Sequence, residues 1–396
     1  EALSRCGRSV LVLESRERVG GRVWTRRMPG LDVAVELGGE FVHGEAKVTH
    51  RLARAAGLHL MPSGRVQRYA SGGRLRPIDS FAQAQRAMRD LSALDGGDVS
   101  FQQFLRRTPL PPLTRSFARL MVQGFDAADP ARASARAIAE EWGGGQMSGS
   151  QPRVREGYGA LLDWLSRRIV QHGGRLKMNA AVREVRWRHG QVDVQGEGFR
   201  LAAGQAIVTL PLGVLQSRDV RFSPSLGKEQ ALKRLASGPV IKAAMRFPRA
   251  FWETRHPGVA FFHAPGAAFP TFWTPLPARV PLLIGWSGGP NARDPSWKAI
   301  RASLVRIFKR IEEPDEVIIQ DWAGDAFARG AYSYVRVNGA GAREALAASL
   351  ADTLFFAGEA TSADDSGTVA GALASGIRAA EEAMRRRAPR AFSRAP

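Results

Sequence analysis

The chain has 396 residues, of which 44% are hydrophobic and 24% are charged, a balance typical of a folded globular protein. A disulfide scaffold is excluded because Cys6 is the only cysteine, and no run of about 18 apolar residues could form a membrane span. The formal net charge of +20 comes mainly from arginine, which supplies fifty of the 57 basic residues and is spread along the chain. We interpret this charge as a basic solvated surface, with binding to nucleic acid or an anionic surface as the alternative.

The first predicted elements are a helix end and a buried strand. Residues 1–7 have the pattern of a last helical turn closed by a glycine, and residues 9–14 form a short apolar run that ends in Glu14. This order is typical of the second half of a βαβ dinucleotide-binding unit, where the terminal acid accepts hydrogen bonds from ribose hydroxyls. We expect the first strand and its glycine fingerprint, with any signal peptide, to lie upstream of Glu1.

The following elements alternate between helical and strand patterns. Residues 50–140 are predicted to be mostly helical, and residues 240–290 to form an antiparallel sheet rich in Phe, Trp, Val and Pro. Helices are also predicted at 161–170, 297–311 and 367–387, buried strands at 206–210 and 354–359, and a hairpin at 182–194. Because the nucleotide-type strands are dispersed, the domains are predicted to be interleaved.

Four segments, in this order, resemble the flavin-containing amine oxidase family of monoamine oxidases, polyamine oxidases and flavin-dependent histone lysine demethylases. The segments are residues 10–25 with Glu14, Gly20, Gly21 and Arg22; residues 36–44 with Gly38, Gly39, Glu40, Phe41 and His43; residues 238–252 with Lys242; and residues 330–372 with Tyr332, Glu359, Thr368 and Val369. The resemblance implies an α/β fold, in which a Rossmann-type FAD-binding domain is interleaved with a mixed α+β substrate domain. We expect the FAD domain to comprise residues 1–65, 150–215 and 325–396, and the substrate domain 66–149 and 216–324.

Glycines and one arginine are candidates for contact with the cofactor. Gly20 and Gly21 permit close approach of backbone to a phosphate, and Arg22 offers a planar fork of donors for pyrophosphate oxygens. The alternative is a glycine turn beside a surface arginine. Gly38 and Gly39 suggest backbone packed against a flat ligand, and the resemblance places this segment, with Glu40 and Phe41, along the flavin.

Other cofactor contacts are implied by the resemblance. Val182 and Thr209 match positions on the adenine side, Trp322 and Phe327 match aromatic positions near the ring, and each of these four residues could instead be core. Glu359 ends a buried strand, where ribityl hydroxyls or ordered water would satisfy its carboxylate. Thr368 and Val369 begin the last helix, whose positive end the resemblance directs at the flavin.

The catalytic candidates are Lys242, Tyr332, Thr368 and His43. Lys242 is one of seven lysines and stands in an apolar strand, where the resemblance implies that it holds a water against flavin N5. On this basis Lys242→Met is expected to slow flavin chemistry without much change in stability; the alternative is a surface lysine. Tyr332 matches one of two facing aromatic residues in the family. The second position aligns with Thr368, so only one of the two rings is expected here. His43 faces the cavity in the family, or is a satisfied structural histidine.

The resemblance implies oxidation of a small-molecule amine to an imine, with oxygen as acceptor and hydrogen peroxide as product. FAD is expected to be noncovalent because Ala331 stands where some members of the family carry a tethering Cys. Residues 1–396 alone are expected to retain FAD weakly or not at all. We expect no metal, no specific nucleic acid and a cytoplasmic location, with the oligomeric state open. The alternatives are a related oxidase or desaturase acting on an amino acid or another substrate, a basic nucleic-acid-binding protein, and an inactive remnant.

Overall fold

The computed structural model describes residues 1–89, 91, 94–144 and 151–385 of the chain. Its helices are α1 (Ala2–Arg5), α2 (Lys47–Ala55), α3 (Ser80–Ala87), α4 (Phe101–Arg107), α5 (Pro112–Gly124), α6 (Ala135–Gly143), α7 (Tyr158–Gln171), α8 (Leu212–Ser217), α9 (Glu229–Arg234), α10 (Trp297–Phe308), α11 (Ala342–Ala347) and α12 (Val369–Arg385). The predicted helices at 161–170, 297–311 and 367–387 correspond to α7, α10 and α12, and the residues after 385 lie outside the described part. None of the described helices is long and apolar enough to cross a membrane.

Short parallel strand pairs support the predicted nucleotide side. Strand β1 (Leu11–Leu13) pairs with β8 (Arg175–Lys177), and β12 (Ala206–Val208) pairs with β21 (Leu354–Phe356). A four-stranded sheet has the order β11 (Phe199–Ala203), β10 (Gln191–Gly196), β9 (Val182–Arg188) and β13 (Arg221–Ser223). Two small antiparallel pairs join β2 (Thr25–Arg26) to β3 (Val35–Glu36) and β4 (Leu60–Met61) to β7 (Arg153–Val154). The predicted strands and the β9–β10 hairpin are therefore confirmed, but of the three strands only β21 is buried throughout, whereas β1 is half-buried.

A seven-stranded sheet forms the other large layer. Its order is β19 (Glu316–Asp321), β15 (Val240–Arg246), β18 (Leu282–Gly288), β17 (Thr271–Trp273), β16 (Phe261–His263), β5 (Gln67–Ser71) and β6 (Arg74–Ile78). Strand β15 pairs antiparallel with both neighbours and is buried along almost its whole length. A separate pair joins β14 (Leu235–Gly238) to β20 (Tyr332–Val335). These strands confirm the antiparallel sheet predicted for residues 240–290 and the α/β class; the domain boundaries stay a prediction.

The prediction that residues 50–140 are mostly helical is wrong for residues 67–78. These residues form the β5–β6 hairpin, which turns at Gly72 and Gly73 with φ of 57° and 73°. A two-glycine turn between short alternating segments is a hairpin pattern, and glycine adopts this left-handed backbone without steric cost. The helical part of this stretch resumes with α3, which ends at Ala87; residues 90, 92 and 93 lie outside the described part.

Helix α5 connects the helical layer to the sheet. Its side chain Phe117 is fully buried in an apolar cluster with Phe101 and Phe104 of α4. At the other end of α5, the carbonyl of Gly124 accepts a hydrogen bond of 2.8 Å from Trp286 Nε1 on β18. This contact fixes the loop after Gly124 against the sheet, at the wall of the main cavity.

Candidate functional site

One cavity of about 780 Å³ lies between the nucleotide-side strands and the seven-stranded sheet. That volume is within the range of pockets that enclose organic ligands, roughly 300–1,000 Å³. Every site residue predicted from the sequence lines it: Glu14, Gly21, Arg22, Gly38, Gly39, Glu40, Phe41, His43, Val182, Thr209, Lys242, Trp322, Phe327, Tyr332, Glu359, Thr368 and Val369. The structure therefore brings the predicted residues together, while their individual roles stay predictions.

The nucleotide end of the cavity is formed where parallel strands end. Glu14 follows β1, and its Oε1 accepts hydrogen bonds from the backbone N–H of Arg16 at 2.9 Å and from the Ser15 hydroxyl at 3.3 Å. Val182 begins β9 and Thr209 follows β12. Ligands of open α/β sheets bind at such strand ends, so this edge is suited to a dinucleotide.

Arg22 and Glu359 form a buried ion pair. Arg22 Nη1 lies 2.9 Å from Glu359 Oε1 and donates a second hydrogen bond to the carbonyl of Ala331. Glu359 also accepts hydrogen bonds from the N–H and hydroxyl of Ser333 and from the N–H of Gly367. Burial alone would raise the pKa of Glu359, but Arg22, Arg343 and Ser333 outweigh burial and lower it.

These contacts differ from the expectations for both residues. The protein itself satisfies the Glu359 carboxylate, for which ribityl hydroxyls or ordered water were expected. One guanidinium nitrogen of Arg22 is already committed to Glu359 and Ala331, so its fork is only partly free for pyrophosphate. Glu359 does not end the strand as predicted, because β21 stops at Phe356 and Glu359 begins a 3₁₀ turn. The ion pair therefore fixes the cavity wall between the loop after β1 and this turn.

Glycines provide a test of whether a flat ligand fits. A Cβ at Gly21 or Gly358 would meet no protein atom within 4 Å, and both residues line the cavity, so space is open beside their backbone. Gly38 differs from the expectation, because a Cβ there would clash with the carbonyl of Arg22. Glycine at 38 is therefore required by a backbone contact within the protein. The open glycines and the strand-end acid fit a dinucleotide cofactor.

Lys242 lies at the centre of a buried cluster of charges. It is on β15, fully buried, and its Nζ donates to Glu40 Oε2 at 2.8 Å and to the carbonyl of Gly38 at 3.0 Å. Glu40 Oε1 in turn lies 3.0 Å from Arg153 Nη1 and 3.0 Å from Trp273 Nε1. The surface-lysine alternative is wrong, since the Lys242 side chain is only 1% exposed. Two partners occupy two of the three ammonium protons, which leaves one for another acceptor.

The aromatic end of the cavity is built around Tyr332 and Trp286. Their rings are nearly parallel, with centroids 6.5 Å apart, and the Tyr332 hydroxyl donates to the carbonyl of Phe125 at 2.9 Å. Thr368 lines the cavity, but its hydroxyl donates to Asp365 O and accepts from Gly371 N at the start of α12. Thr368 thus caps α12, and the ring that lies nearly parallel to Tyr332 belongs to Trp286, which the sequence did not single out.

His43 lies beside this aromatic end, and its buried Nδ1 has no hydrogen-bond partner among the residues that the structure describes. Its ring meets Phe125 edge-on at 5.1 Å. Burial lowers the pKa of His43 to about 4, so the imidazole is neutral at physiological pH. The alternative of a satisfied structural histidine does not describe this side chain.

Trp322 and Phe327 differ in their surroundings. Trp322 is 2% exposed and donates from Nε1 to the carbonyl of Leu37 at 2.9 Å. Phe327 is 37% exposed, and the Arg16 guanidinium lies 5.4 Å from its ring centroid. Trp322 is therefore a packed wall, whereas Phe327 lies where the cavity meets solvent.

Glu36 is a buried carboxyl that the sequence did not single out. Its Oε1 accepts a hydrogen bond of 2.7 Å from the N–H of Tyr158, the first residue of α7, and the Thr25 hydroxyl donates to it at 2.9 Å. Burial raises the pKa of Glu36 from its ordinary 4.5 to about 7, against the opposite effects of the Tyr158 N–H, Lys242 and Thr25. The folded state therefore binds a proton more tightly than the unfolded state does.

This proton predicts a pH-dependent stability. The stabilising contribution of protonated Glu36 is complete below pH 4.5 and is lost as pH rises through 7, a change of roughly 3 kcal/mol. Glutamine at position 36 cannot ionise, so the stability of Glu36→Gln should not fall as pH rises. Relative to the wild-type chain, the free energy of unfolding of the variant should therefore increase from pH 5 to pH 8 by an amount of this order. Urea denaturation at both pH values measures the difference. A stability difference that does not change with pH would contradict the assigned pKa.

Several cavity residues were not found from the sequence. They include Trp273, Trp286, Phe125 and Asp126. Arg153, which does not line the cavity but bonds to the cavity residue Glu40, was also missed. Asp126 and Phe125 directly follow α5, and a charged residue in that apolar loop was the one local signal. The others act through partners far away in the chain. In the described part of the chain, no group of three or more His, Cys, Asp or Glu residues could hold a metal ion.

Comparison with known proteins identifies the family. The family model "Flavin containing amine oxidoreductase" matches residues 1–384. The chain belongs to this family of flavin-containing amine oxidoreductases. FAD is accordingly the cofactor expected in the cavity, and the resemblance noted from the four sequence segments is confirmed.

The relatives of this amine oxidoreductase include histone demethylases and a polyamine oxidase. The chain is 25% identical over 425 residues to human lysine-specific histone demethylase 2, covering 96% of the chain and 51% of the relative. It is 27% identical over 434 residues to polyamine oxidase 4 of Oryza sativa subsp. japonica, covering 97% and 85%. The chain thus spans about half the length of the demethylases it matches.

Solved structures match the fold of the amine oxidoreductase along nearly the whole chain. Putrescine oxidase bound to putrescine superposes with a TM-score of 0.81 at 22% identity, covering 97% of this chain and 95% of that one. Cyclohexylamine oxidase from Brevibacterium oxydans IH-35A gives a TM-score of 0.80 at 21% identity, covering 97% and 96%. At these identities the likeness establishes the fold.

Proposed function

We propose that this chain is an FAD-dependent amine oxidase that converts an amine to an imine, with oxygen as acceptor and hydrogen peroxide as product. One observation carries the proposal: a single cavity joins the strand ends at Glu14 and Thr209 to an aromatic chamber that contains Lys242 and Tyr332. A dinucleotide lying along the strand ends would thereby reach the chamber. The names of two relatives, a lysine-specific histone demethylase and a polyamine oxidase, support amines as the substrate class.

The residues of the chain have defined tasks in such a reaction. FAD, when bound, supplies the acceptor for the hydrogen and electrons that leave the α-carbon of the amine. Trp286 and Tyr332 form parallel walls that orient the amine and exclude water from it. Lys242, held by Glu40 and Gly38, has one ammonium proton left for an acceptor at the flavin edge. The Arg22–Glu359 pair keeps the backbone on the cofactor side in place.

A panel of substrates tests the proposal. Purified protein supplied with FAD is incubated with monoamines, polyamines, amino acids and a methylated lysine peptide, and peroxide is measured. Peroxide formed only from amines supports the proposal. Peroxide formed only from amino acids indicates the related oxidase, and product with a new carbon–carbon double bond indicates the desaturase. No turnover of any substrate by FAD-loaded protein contradicts the proposal and favours an inactive remnant.

FAD is proposed to bind without a covalent bond. Ala331 precedes Tyr332, and its carbonyl accepts a hydrogen bond from Arg22, whereas Cys6 is exposed and does not line the cavity. With no thiol at the cavity wall, we expect acid precipitation of the loaded protein to release all the yellow chromophore into the supernatant. Absorbance at 450 nm, roughly the flavin maximum, measures both fractions. Flavin that stays in the pellet after denaturation would show a covalent bond.

A further inference from the structure

Asp126 is a buried carboxylate that the proposed reaction has not yet used. It follows α5, is 8% exposed and lines the aromatic end of the cavity. Its one side-chain donor in the described structure is Trp142 Nε1, shared between the two oxygens at 3.1 and 3.3 Å. A carboxylate can accept about four hydrogen bonds, so most of the acceptor capacity of Asp126 is unfilled.

Asp126 differs from the other acids at this end of the cavity in having no cationic partner among the described residues. Glu40 pairs with Lys242 and Arg153. Glu141, on α6, lies 3.3 Å from Arg343 and accepts a hydrogen bond of 2.7 Å from the Ser366 hydroxyl. Among the described acids of the chamber, Asp126 is therefore the one that an incoming cation would neutralise.

The groups around Asp126 favour its uncharged form. Burial and the negative charge of Glu141 raise the pKa of Asp126 well above its ordinary value, and the Trp142 N–H acts weakly in the opposite direction. Tyr332 on β20 faces Asp126, and His43 contacts Phe125, the residue before Asp126. Burial raises the pKa of Tyr332 and lowers the pKa of His43, so both side chains are neutral. Arg343 is engaged by Glu141 and Ser333.

An amine substrate brings a proton problem to this chamber. Alkyl amines have a pKa near 10, so they arrive as ammonium ions, whereas only the neutral amine has the nitrogen lone pair that supports loss of hydrogen from the α-carbon. Leaving the ammonium and a carboxylate charged in a buried site costs free energy, because both ions lose their hydration. Moving one proton removes both charges.

We propose that Asp126 is a catalytic proton acceptor that takes the proton from the protonated amine as it enters the chamber. The N–H bond breaks with its electron pair left on nitrogen, and an O–H bond forms on the Asp126 carboxylate. The products are a neutral amine and a neutral acid, so charge and atoms balance without another reactant. This inference rests on the proposed amine oxidase function, and goes beyond it by assigning the deprotonation step to one side chain.

The test is the pH profile of kcat/KM for Asp126→Asn, which keeps an oxygen for the Trp142 N–H. In the wild-type enzyme, ionised Asp126 and the ammonium ion together hold the same proton as the neutral pair. The profile should therefore be flat between the pKa of Asp126 in the free enzyme and the pKa of the amine. The variant must capture neutral amine from solution, and its kcat/KM should rise tenfold per pH unit up to the pKa of the amine. At pH 7.5 the kcat/KM of the variant should be about 300-fold below its own value near pH 10.

A binding measurement separates this inference from the proposed function. Calorimetric titration of the holoenzyme with tert-butylamine, which has no hydrogen on its α-carbon, is run in two buffers of different ionisation enthalpy. Wild-type protein should release almost no protons, and Asp126→Asn should release about one per amine bound. This result is independent of turnover, so a chain that oxidises no amine refutes the function while the proton count still tests Asp126.

Two further variants keep the test decisive. Asp129→Asn alters a nearby acid that does not line the cavity and should leave the profile and the proton count unchanged. Glu141→Gln removes the negative charge that raises the pKa of Asp126, so the acid limb of the kcat/KM profile should shift to lower pH than in the wild-type enzyme. This variant tests the proposal even if Asp126→Asn fails to fold. A flat profile and wild-type proton count for Asp126→Asn, or an unshifted acid limb for Glu141→Gln, would overturn the proposal.

Discussion

Replacing Glu40 with Gln is expected to lower the free energy of unfolding by about 3–5 kcal/mol, the largest stability effect that we predict. Glu40 is the shared anionic partner of Lys242 and Arg153, and all three side chains are buried. The substitution preserves size and one hydrogen-bond acceptor, but it leaves two cations in the protein interior without their counter-charge. Urea denaturation monitored by circular dichroism measures the change.

A matched surface pair provides the control. Glu45 lies 2.8 Å from Lys47, the same distance as Glu40 from Lys242, but its side chain is 77% exposed. Because water screens exposed pairs, Glu45→Gln should change stability far less than Glu40→Gln does. Equal effects of Glu40→Gln and Glu45→Gln would show that burial does not strengthen the Glu40 cluster.

A double substitution identifies the cause of the loss. In Glu40→Gln with Lys242→Met, one of the two unpaired cations is gone, so the combined destabilisation should be smaller than the sum of the single effects. Non-additivity of this kind is expected for side chains in direct contact. Additive losses would mean that Glu40 and Lys242 stabilise the protein independently.

Local motifs were enough to predict a set of residues that all line the cavity, together with several of the helices and strands around it. Glu14 was identified by its place at the end of an apolar run, and Thr368 by its position before the last helix. Such signals depend on neighbours within a few residues, so they can be found in one sequence. The hairpin at residues 67–78 had a comparable signal in Gly72 and Gly73, which the helical pattern of the surrounding residues outweighed.

The partners of these residues could not be predicted in the same way. Glu40 bonds to Lys242 across 202 positions and to Arg153 across 113 positions, and Trp273 joins the same carboxylate from a third segment. No local pattern records which distant side chain neutralises a buried charge. The role of Gly38 shows the same limit: the sequence indicated a glycine with something flat against it, and the structure places the Arg22 carbonyl there.

These partners change what is expected of Lys242→Met. The sequence alone predicted slower flavin chemistry at nearly unchanged stability. In the structure, the substitution removes the donor to Glu40 Oε2 and to the carbonyl of Gly38, both buried acceptors. Glu40 keeps Arg153 as a counter-charge, so the loss should be about 1–3 kcal/mol, smaller than for Glu40→Gln.

The larger consequence of Lys242→Met is expected in the flavin half-reactions. Methionine fills the space of the lysine stem, and the lost group is the one remaining N–H that could hold an acceptor at the flavin edge. Stopped-flow absorbance should show flavin reduction by amine, or reoxidation by oxygen, slowed by at least about tenfold, equivalent to roughly 1.4 kcal/mol of barrier. Lys298→Met, at an exposed position of α10, is the control and should change neither rate. The contacts of Lys242 to Glu40 and Gly38 stabilise the fold whether or not its third proton reaches the flavin. Wild-type rates in both half-reactions, together with a measurable loss of stability, would therefore show that Lys242 only stabilises the fold.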